Sequence, residues 1–370
     1  MNAMQKLGKI EAIGLSLAVI INNIIFNMTS IIFNYCGSGS WINIIYVSIL
    51  SLIFTFIIIL LLKPFPSLDL LDISSFLGGK TLKCLISVLY VILFMSFSAI
   101  CVRYYANNSH IIYFSGYNLL FLILLAFVPI VISSKIGLKA IYGTNLIVIP
   151  ITILSIVLLF TISVRDFSWQ KLFPIFGYGA KDLFINQSMN IFAFNIIGYL
   201  YFLPPFLKDK NDFKKVYIFS IIICSLYFLL TILALTMTFS YSFKADEYFS
   251  LYLISRLVSL GRFFQRLDAI FIFTWLLAFL SFICFNVYLM SYIIKKGFEL
   301  SDSKELVYSV SAILIGVSLA FKNNAAVNSF TKIFFRNYTV ILVFGISLVI
   351  VILACFKKRR IKKWKLKFIC

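Results

Sequence analysis

Acidic residues are scarce in this sequence: 13 Asp and Glu stand against 33 Lys and Arg in 370 residues, and there is one histidine. Charged residues make up 12% of the chain and hydrophobic residues 62%, where a soluble domain carries about 25% and 45–50%. That excludes a soluble globular domain, and it excludes a disordered chain, which requires low hydrophobicity. The net charge of +20 alone suits a nucleic-acid module, but the hydropathy overrides it and no nucleic-acid partner is expected. The cysteines (Cys36, Cys84, Cys101, Cys224, Cys284, Cys355, Cys370) form no CxxC pair, and His110 has no Cys or acidic residue beside it. Neither a disulfide framework nor a metal or catalytic constellation is present in that pattern. The chain reads as a protein with no enzymatic activity and no cofactor.

What is there is long apolar runs. Residues 12–62, between Glu11 and Lys63, carry no charge and are interrupted by Gly37-Ser38-Gly39-Ser40. About 20 apolar residues cross a bilayer as a helix, so this run predicts a helical hairpin. Further spans are predicted over residues 84–102, 117–133, 140–164, 183–207, 216–243, 269–294, 306–321 and 337–356. The expectation is a single all-α polytopic domain of about ten helices, with lengths that exclude a β-barrel. Residues 357–370 form a basic tail. With both termini inside, the cytoplasmic segments hold 22 of the 33 Lys and Arg, as the positive-inside rule requires. The tail, with its interfacial Trp364, is expected to lie on anionic membrane lipid. Phe249, Leu253, Leu257 and Leu260 recur at helical spacing, with Arg256 off that face, and predict a short amphipathic helix on the external surface.

Every acidic residue falls in a loop or near a helix end, so no titrating carboxylate sits at mid-depth where ion-coupled transport usually places one. Polar interruptions do occur there. Asn22-Asn23-Ile24 lies halfway along the first span, and Phe194-Asn195-Ile196-Ile197-Gly198 lies in the sixth, ahead of Pro204-Pro205. If the chain is two five-helix halves, about 10–164 and 183–356, these positions correspond. Interrupted helices at equivalent places in two halves point to a central site. A break leaves free N–H groups on one half-helix and free C=O groups on the other, a pair suited to a zwitterion. In that arrangement the backbone at Asn22, Asn23 and Ile24 takes a carboxylate. Carbonyls at Phe194, Asn195 and Ile197, beside Gly198, take an amine, and Ser96, Ser98 and Ser281 line the pocket. The other arrangement is an unbroken bundle in which Asn22, Asn23 and Asn195 hydrogen-bond neighbouring helices.

Several segments together resemble the B-subunit family of spore germinant receptors (GerAB-like), within the amino acid–polyamine–organocation transporter superfamily. Residues 248–275 are similar to the family's run of the type R-x-[IVL]-x-x-x-x-F-x-E-R-[IFL]-[DE] ending in Trp. Arg266, Asp268 and Trp275 fall on it, and Gln265 replaces the usual Glu. Leu172-Phe173-Pro174-Ile175-Phe176-Gly177-Tyr178-Gly179 is similar to L-x-P-[LV]-x-G-x-G, and Pro66-Ser67-Leu68, Arg103 and Phe202-Leu203-Pro204 match in order. The first span departs from the family, with Asn22-Asn23-Ile24 and Thr29 where Gly-x-Gly and Pro are frequent.

The resemblance implies two inverted five-helix repeats (LeuT-like) with helices 1 and 6 discontinuous. It implies a subunit of the spore inner membrane that associates with A and C subunits and senses a small-molecule germinant, usually an amino acid. Arg103, Arg266 and Asp268 are expected to form an ion-pair cluster at the external end, with Trp275 and Pro204 structural or gating. An amino-acid permease is the competing function; a scaffold that binds no ligand is a third.

Overall fold

The structure is a computed structural model, and it describes residues 6–23, 28–239, 250–257, 267–301 and 304–367. Among the described residues the regular elements are helical, and one isolated parallel bridge joins Leu7 to Leu207. Among the described residues seven helical stretches are long and apolar enough to cross a membrane, and Leu306–Leu319 is a shorter apolar helix. Ile49, Ile53, Phe56 and Leu60, at helical spacing, are exposed. An apolar stripe left bare on a folded helix is what hydrocarbon solvates.

The chain opens with α1 (Lys9–Asn23) and α2 (Thr29–Cys36), then turns through Gly37–Gly39 into α3 (Ser40–Leu62). Of the break expected at Asn22-Asn23-Ile24, Asn22 and Asn23 belong to α1, and Ile24 lies outside the described residues. Next comes α4 (Leu70–Ile112), longer than the predicted 84–102. Asp69 and Asp72 form a reciprocal capping box at its start, and Gly78 and Gly79 (φ +71°) kink it, so residues 70–77 make a separate first segment. That box satisfies amide donors that would otherwise be orphaned, which is why the helix starts so far ahead of its apolar run.

Helices α5 (Leu119–Ile136) and α6 (Leu138–Ser163) follow close to prediction. The sixth span does not form one α-helix. It comprises α7 (Ala180–Phe184), a 3-10 run Asn186–Phe194, α8 (Ile196–Leu200) and a 3-10 turn Pro204–Phe206. Ser188 donates to the Ile185 carbonyl (2.8 Å) within this stretch, Asn190 is drawn to Asn43 of α3 (2.8 Å), and the two prolines end the helix. The chain continues with α9 (Asp212–Thr238), α10 (Ser250–Leu257), α11 (Leu267–Phe298) and α12 (Leu306–Leu319). In the predicted surface helix, α10, Tyr252, Ile254 and Ser255 are buried and Arg256 is exposed. Phe249 and Leu260 lie outside the described residues.

The tenth span begins well before residue 337. It starts with α13 (Asn324–Phe330), capped by the Asn323 side chain accepting from the Ala326 amide at 2.9 Å. It then passes through π-helical turns Thr331–Phe335 and Val340–Ile346, on either side of α14 (Arg336–Thr339), into α15 (Ser347–Lys367). The sequence places Lys332 and Arg336 in a loop; both are on the rod. Arg336 is tolerated there because its guanidinium donates to Gln187 Oε1 at 3.0 Å and lies 4.8 Å from the Tyr35 ring centre.

Both ends of the described chain meet at one face. Leu7 N–H donates to the Phe206 carbonyl (2.6 Å), Lys208 N–H to the Leu7 carbonyl (2.9 Å), and Lys6 Nζ to the Pro205 carbonyl (2.7 Å). At the same face Lys357 Nζ donates to the carbonyls of Phe76 (2.8 Å) and Leu77 (3.1 Å), the end of the first segment of α4. A cation there complements the free carbonyls of that helix end.

Candidate functional site

The α4–α11 pair forms the spine of the site. Tyr105 stacks on Phe279 at 4.4 Å, and Phe97 meets Phe282 at 5.1 Å. Phe94, Ser98 and Cys101 share one helical face of α4. That face meets Tyr199, which lies at the end of α8: Phe94 and Tyr199 have ring centres 4.3 Å apart, and Cys101 borders the Tyr199 hydroxyl. On α11, Phe285 stacks 6.0 Å from Tyr199. The adjacent Asn286 faces the Tyr199 hydroxyl without completing a well-formed hydrogen bond.

These polar groups are fully buried and unsatisfied. The Tyr199 hydroxyl, both polar atoms of the Asn286 amide, the Ser98 hydroxyl and Asn22 Oδ1 have no hydrogen-bond partner of good geometry. Each orphaned buried group costs roughly 1–3 kcal/mol, so the facing Tyr199 and Asn286 mark a place for a polar guest, with Asn22 two turns of α11 away at Ala278. Asn22 is anchored through its other end: Nδ2 donates to the Ala18 carbonyl (2.8 Å) and across to Ala278 of α11 (2.9 Å). That bond ties α1 to α11 and turns Oδ1 loose.

The other anticipated residues divide. Asn195 is buried in the sixth span, but the backbone there is paired internally: Asn195 N–H donates to Phe192 (3.0 Å), and its carbonyl accepts from Gly198 (2.8 Å). The free carbonyl expected at Asn195 is therefore taken by a 3-10 bond. Phe194 and Ile197 are buried, Phe194 against Phe228 at 5.7 Å. Gly198 lets α8 pack closely, because a Cβ built there would lie 3.1 Å from Val343 Cγ2 and 3.6 Å from Tyr90. Ser281 hydrogen-bonds Asn145 Oδ1 of α6. Ser96 is buried, and Pro204 starts the turn that Leu7 straps. Trp275 packs 5.9 Å from Tyr105.

Asn23 closes α1, and Asp268 lies in the first turn of α11. Arg266 is outside the described residues. The third member of that expected ion-pair cluster, Arg103, donates from Nη2 to the Lys322 carbonyl at 2.7 Å. Tyr199 and Asn286 are not among the residues expected from the sequence. The signal available there is a lone amide inside the apolar run Ile283-Cys284-Phe285-Asn286-Val287.

The polar cluster sits between two packed layers. Toward the face remote from the termini, Phe97, Phe335 and Phe192 pack in series, with ring centres 5.3 and 6.4 Å apart. Toward the terminal face, Phe206 packs 4.9 Å from Tyr292, and Lys296 bridges Asp69 (2.8 Å) and Asp72 (2.6 Å). Among the described residues no group of three or more His, Cys, Asp or Glu is arranged to hold a metal ion.

The family described as "Spore germination protein" matches residues 15–327. No curated sequence matches the chain. Among solved structures, the Eremococcus coleocola manganese transporter in complex with an aromatic bis-isothiourea substituted compound is similar at TM-score 0.58 and 13% identity, covering 94% of this chain and 77% of that one. Mhp1, a nucleobase-cation-symport-1 family transporter with bromovinylhydantoin bound, is similar at 0.63 and 13%, covering 94% and 78%. MhsT in complex with L-phenylalanine is similar at 0.63 and 12%, covering 92% and 98%. The fold is that of LeuT-like secondary transporters, a multi-pass membrane architecture, and these relatives are transporters rather than enzymes.

Proposed function

Since the chain belongs to the spore germination protein family, we propose that it is the nutrient-sensing B subunit of a spore germinant receptor. It resides in the spore inner membrane with both termini cytoplasmic and passes its state to A and C subunits. The chain is one integral domain of ten spans, built as inverted repeats over about 10–164 and 183–356, with 357–370 as a cytoplasmic tail. A small polar germinant, an amino acid, occupies the space bounded by Asn22, Ser98, Tyr199 and Asn286.

The observation that carries this reading is the set of buried, unpartnered polar atoms on three helices and the sixth-span segment. A guest that satisfies them favours the arrangement in which they converge, and such differential contact is what shifts a conformational equilibrium. The occupant named for one structural neighbour, L-phenylalanine, belongs to the same chemical class. The competing reading is an amino-acid permease, favoured by the shared fold.

Proteoliposomes carrying this chain alone separate the two. A panel of radiolabelled amino acids is expected to bind without accumulating. Robust accumulation sinks the receptor reading, and binding by none of the panel sinks the ligand assignment. In spores, Asn286→Leu at normal protein level is expected to abolish the nutrient response; an unchanged response supports a scaffold that binds nothing.

A further inference from the structure

At the face remote from the termini, a cavity of about 510 Å³ opens between the end of α4 and the start of α13. Arg103, Asn107, Lys322, Asn324, Asn328 and Lys332 line it, and among its described lining residues there is no Asp or Glu. Three cations therefore face one space, with no carboxylate among the described residues of its wall.

Arg103 is the most telling of them. Its side chain lines the cavity while the residue is only 5% exposed. One nitrogen, Nη2, is held by the Lys322 carbonyl at 2.7 Å, and Nε is buried with no partner. No described carboxylate lies within salt-bridge distance of it. A desolvated guanidinium is expensive until a counter-charge reaches it, and its planar fork matches a carboxylate. The wall beside it is rigid: Asn107 Nδ2 donates to Asn324 Oδ1 at 2.7 Å, and Tyr104 donates to Asn328 Oδ1. Lys332 sits 5.9 Å from the Tyr35 ring centre and lines the cavity as well.

We infer that this cavity is a binding site for small solutes with a carboxylate and a net negative charge. Arg103 takes the carboxylate, and Lys322 and Lys332 supply the field that excludes cations. The site is separate from the buried Tyr199–Asn286 cluster and goes beyond the nutrient-sensing reading. A like-charged cluster facing low-dielectric walls concentrates anions at its mouth.

The test is competition binding on the full chain in phosphatidylcholine nanodiscs at low ionic strength, with radiolabelled L-glutamate as probe. Succinate is expected to compete, and L-glutamine and L-lysine to fail by at least about tenfold, one charge-assisted hydrogen bond's worth. Arg103→Gln is expected to weaken L-glutamate binding about tenfold, and Arg103→Lys less. Because Arg103 is buried, Lys322→Gln, at a more accessible position, serves as a second variant that keeps the fold; it is expected to weaken binding and flatten its salt dependence.

Absence of L-glutamate binding, equal competition by L-lysine, or unchanged binding in both Gln variants overturns the inference. Phosphate or chloride competing as strongly as succinate overturns the carboxylate assignment. Asn286→Leu is expected to leave this binding intact. That result separates a failure here from a failure of the nutrient-sensing reading.

Discussion

Lys296, near the end of α11, lies 2.8 Å from Asp69 at the cap of α4, joining two helix ends at the terminal face. Tyr292 adds a second donor to the same carboxylate oxygen at 2.7 Å. Asp69 is wholly buried, and burial raises its pKa, against the pull of Lys296.

Lys296→Met should therefore leave a buried carboxylate without its cation, at a cost of about 3–5 kcal/mol. The sign follows from the raised pKa: a carboxyl whose folded pKa lies above its unfolded value favours the folded state at low pH and loses that advantage as pH rises. Thermal unfolding of the variant should show a large loss at neutral pH that shrinks on acidification. A loss independent of pH would rule out Asp69 as its source. Asp69→Asn in the same background should recover much of the stability at neutral pH.

Tyr199→Phe and Asn286→Leu remove groups that face each other but complete no hydrogen bond of good geometry. Replacing an unsatisfied buried polar group with an apolar one of similar shape is neutral or stabilising. Both variants should keep or raise Tm while losing ligand-induced stabilisation. A drop of several degrees in the unliganded variants would instead place these groups in a structural network.

Gly198→Leu should destabilise by about 1–3 kcal/mol, since the added carbons run into Val343 and Tyr90. Gly198→Ala should cost little, because a single methyl requires Val343 to give only slightly. Val343→Ala should restore part of the leucine variant's stability. Additive losses in the double variant would show that the contact is not the cause.

Gly177→Ala is expected to be the most damaging glycine substitution, by about 2–4 kcal/mol. Gly177 has φ +55°, and a Cβ there would lie 2.0 Å from the Cys36 carbonyl oxygen. Thermal unfolding of this variant against Gly179→Ala, where φ is also positive but the space is open, isolates the clash from the backbone strain. Equal losses would assign the whole effect to strain.

Much of the fold is legible in the sequence because charges mark where lipid ends. The run from Glu11 to Lys63 and the boundaries of α5 and α6 need nothing more. Legibility fails where a charge finds a protein partner: Arg336 looks like a loop residue because nothing in the sequence reveals Gln187 and Tyr35 packed around it. The sixth span is recognisably irregular from Asn195, Gly198 and the prolines, but the form of the irregularity depends on which backbone groups pair, and a 3-10 run does not follow from composition. Of the site, Asn22 and Ser98 stand out by their polarity at mid-depth. Tyr199 and Asn286 do not, since a phenol and an amide among aromatics disclose their missing partners only when the helices are assembled.

The two π-helical stretches in the tenth span, Thr331–Phe335 and Val340–Ile346, store wider turns than the α-helix around them. Lys332, which lines the cavity, lies within the first of them, and Lys357, which grips the first segment of α4, lies beyond the second. Rewinding either stretch to ordinary pitch would rotate everything beyond it about the rod's own axis. Such a rewinding would reach Lys357, at the opposite end of the rod, as torque rather than tilt.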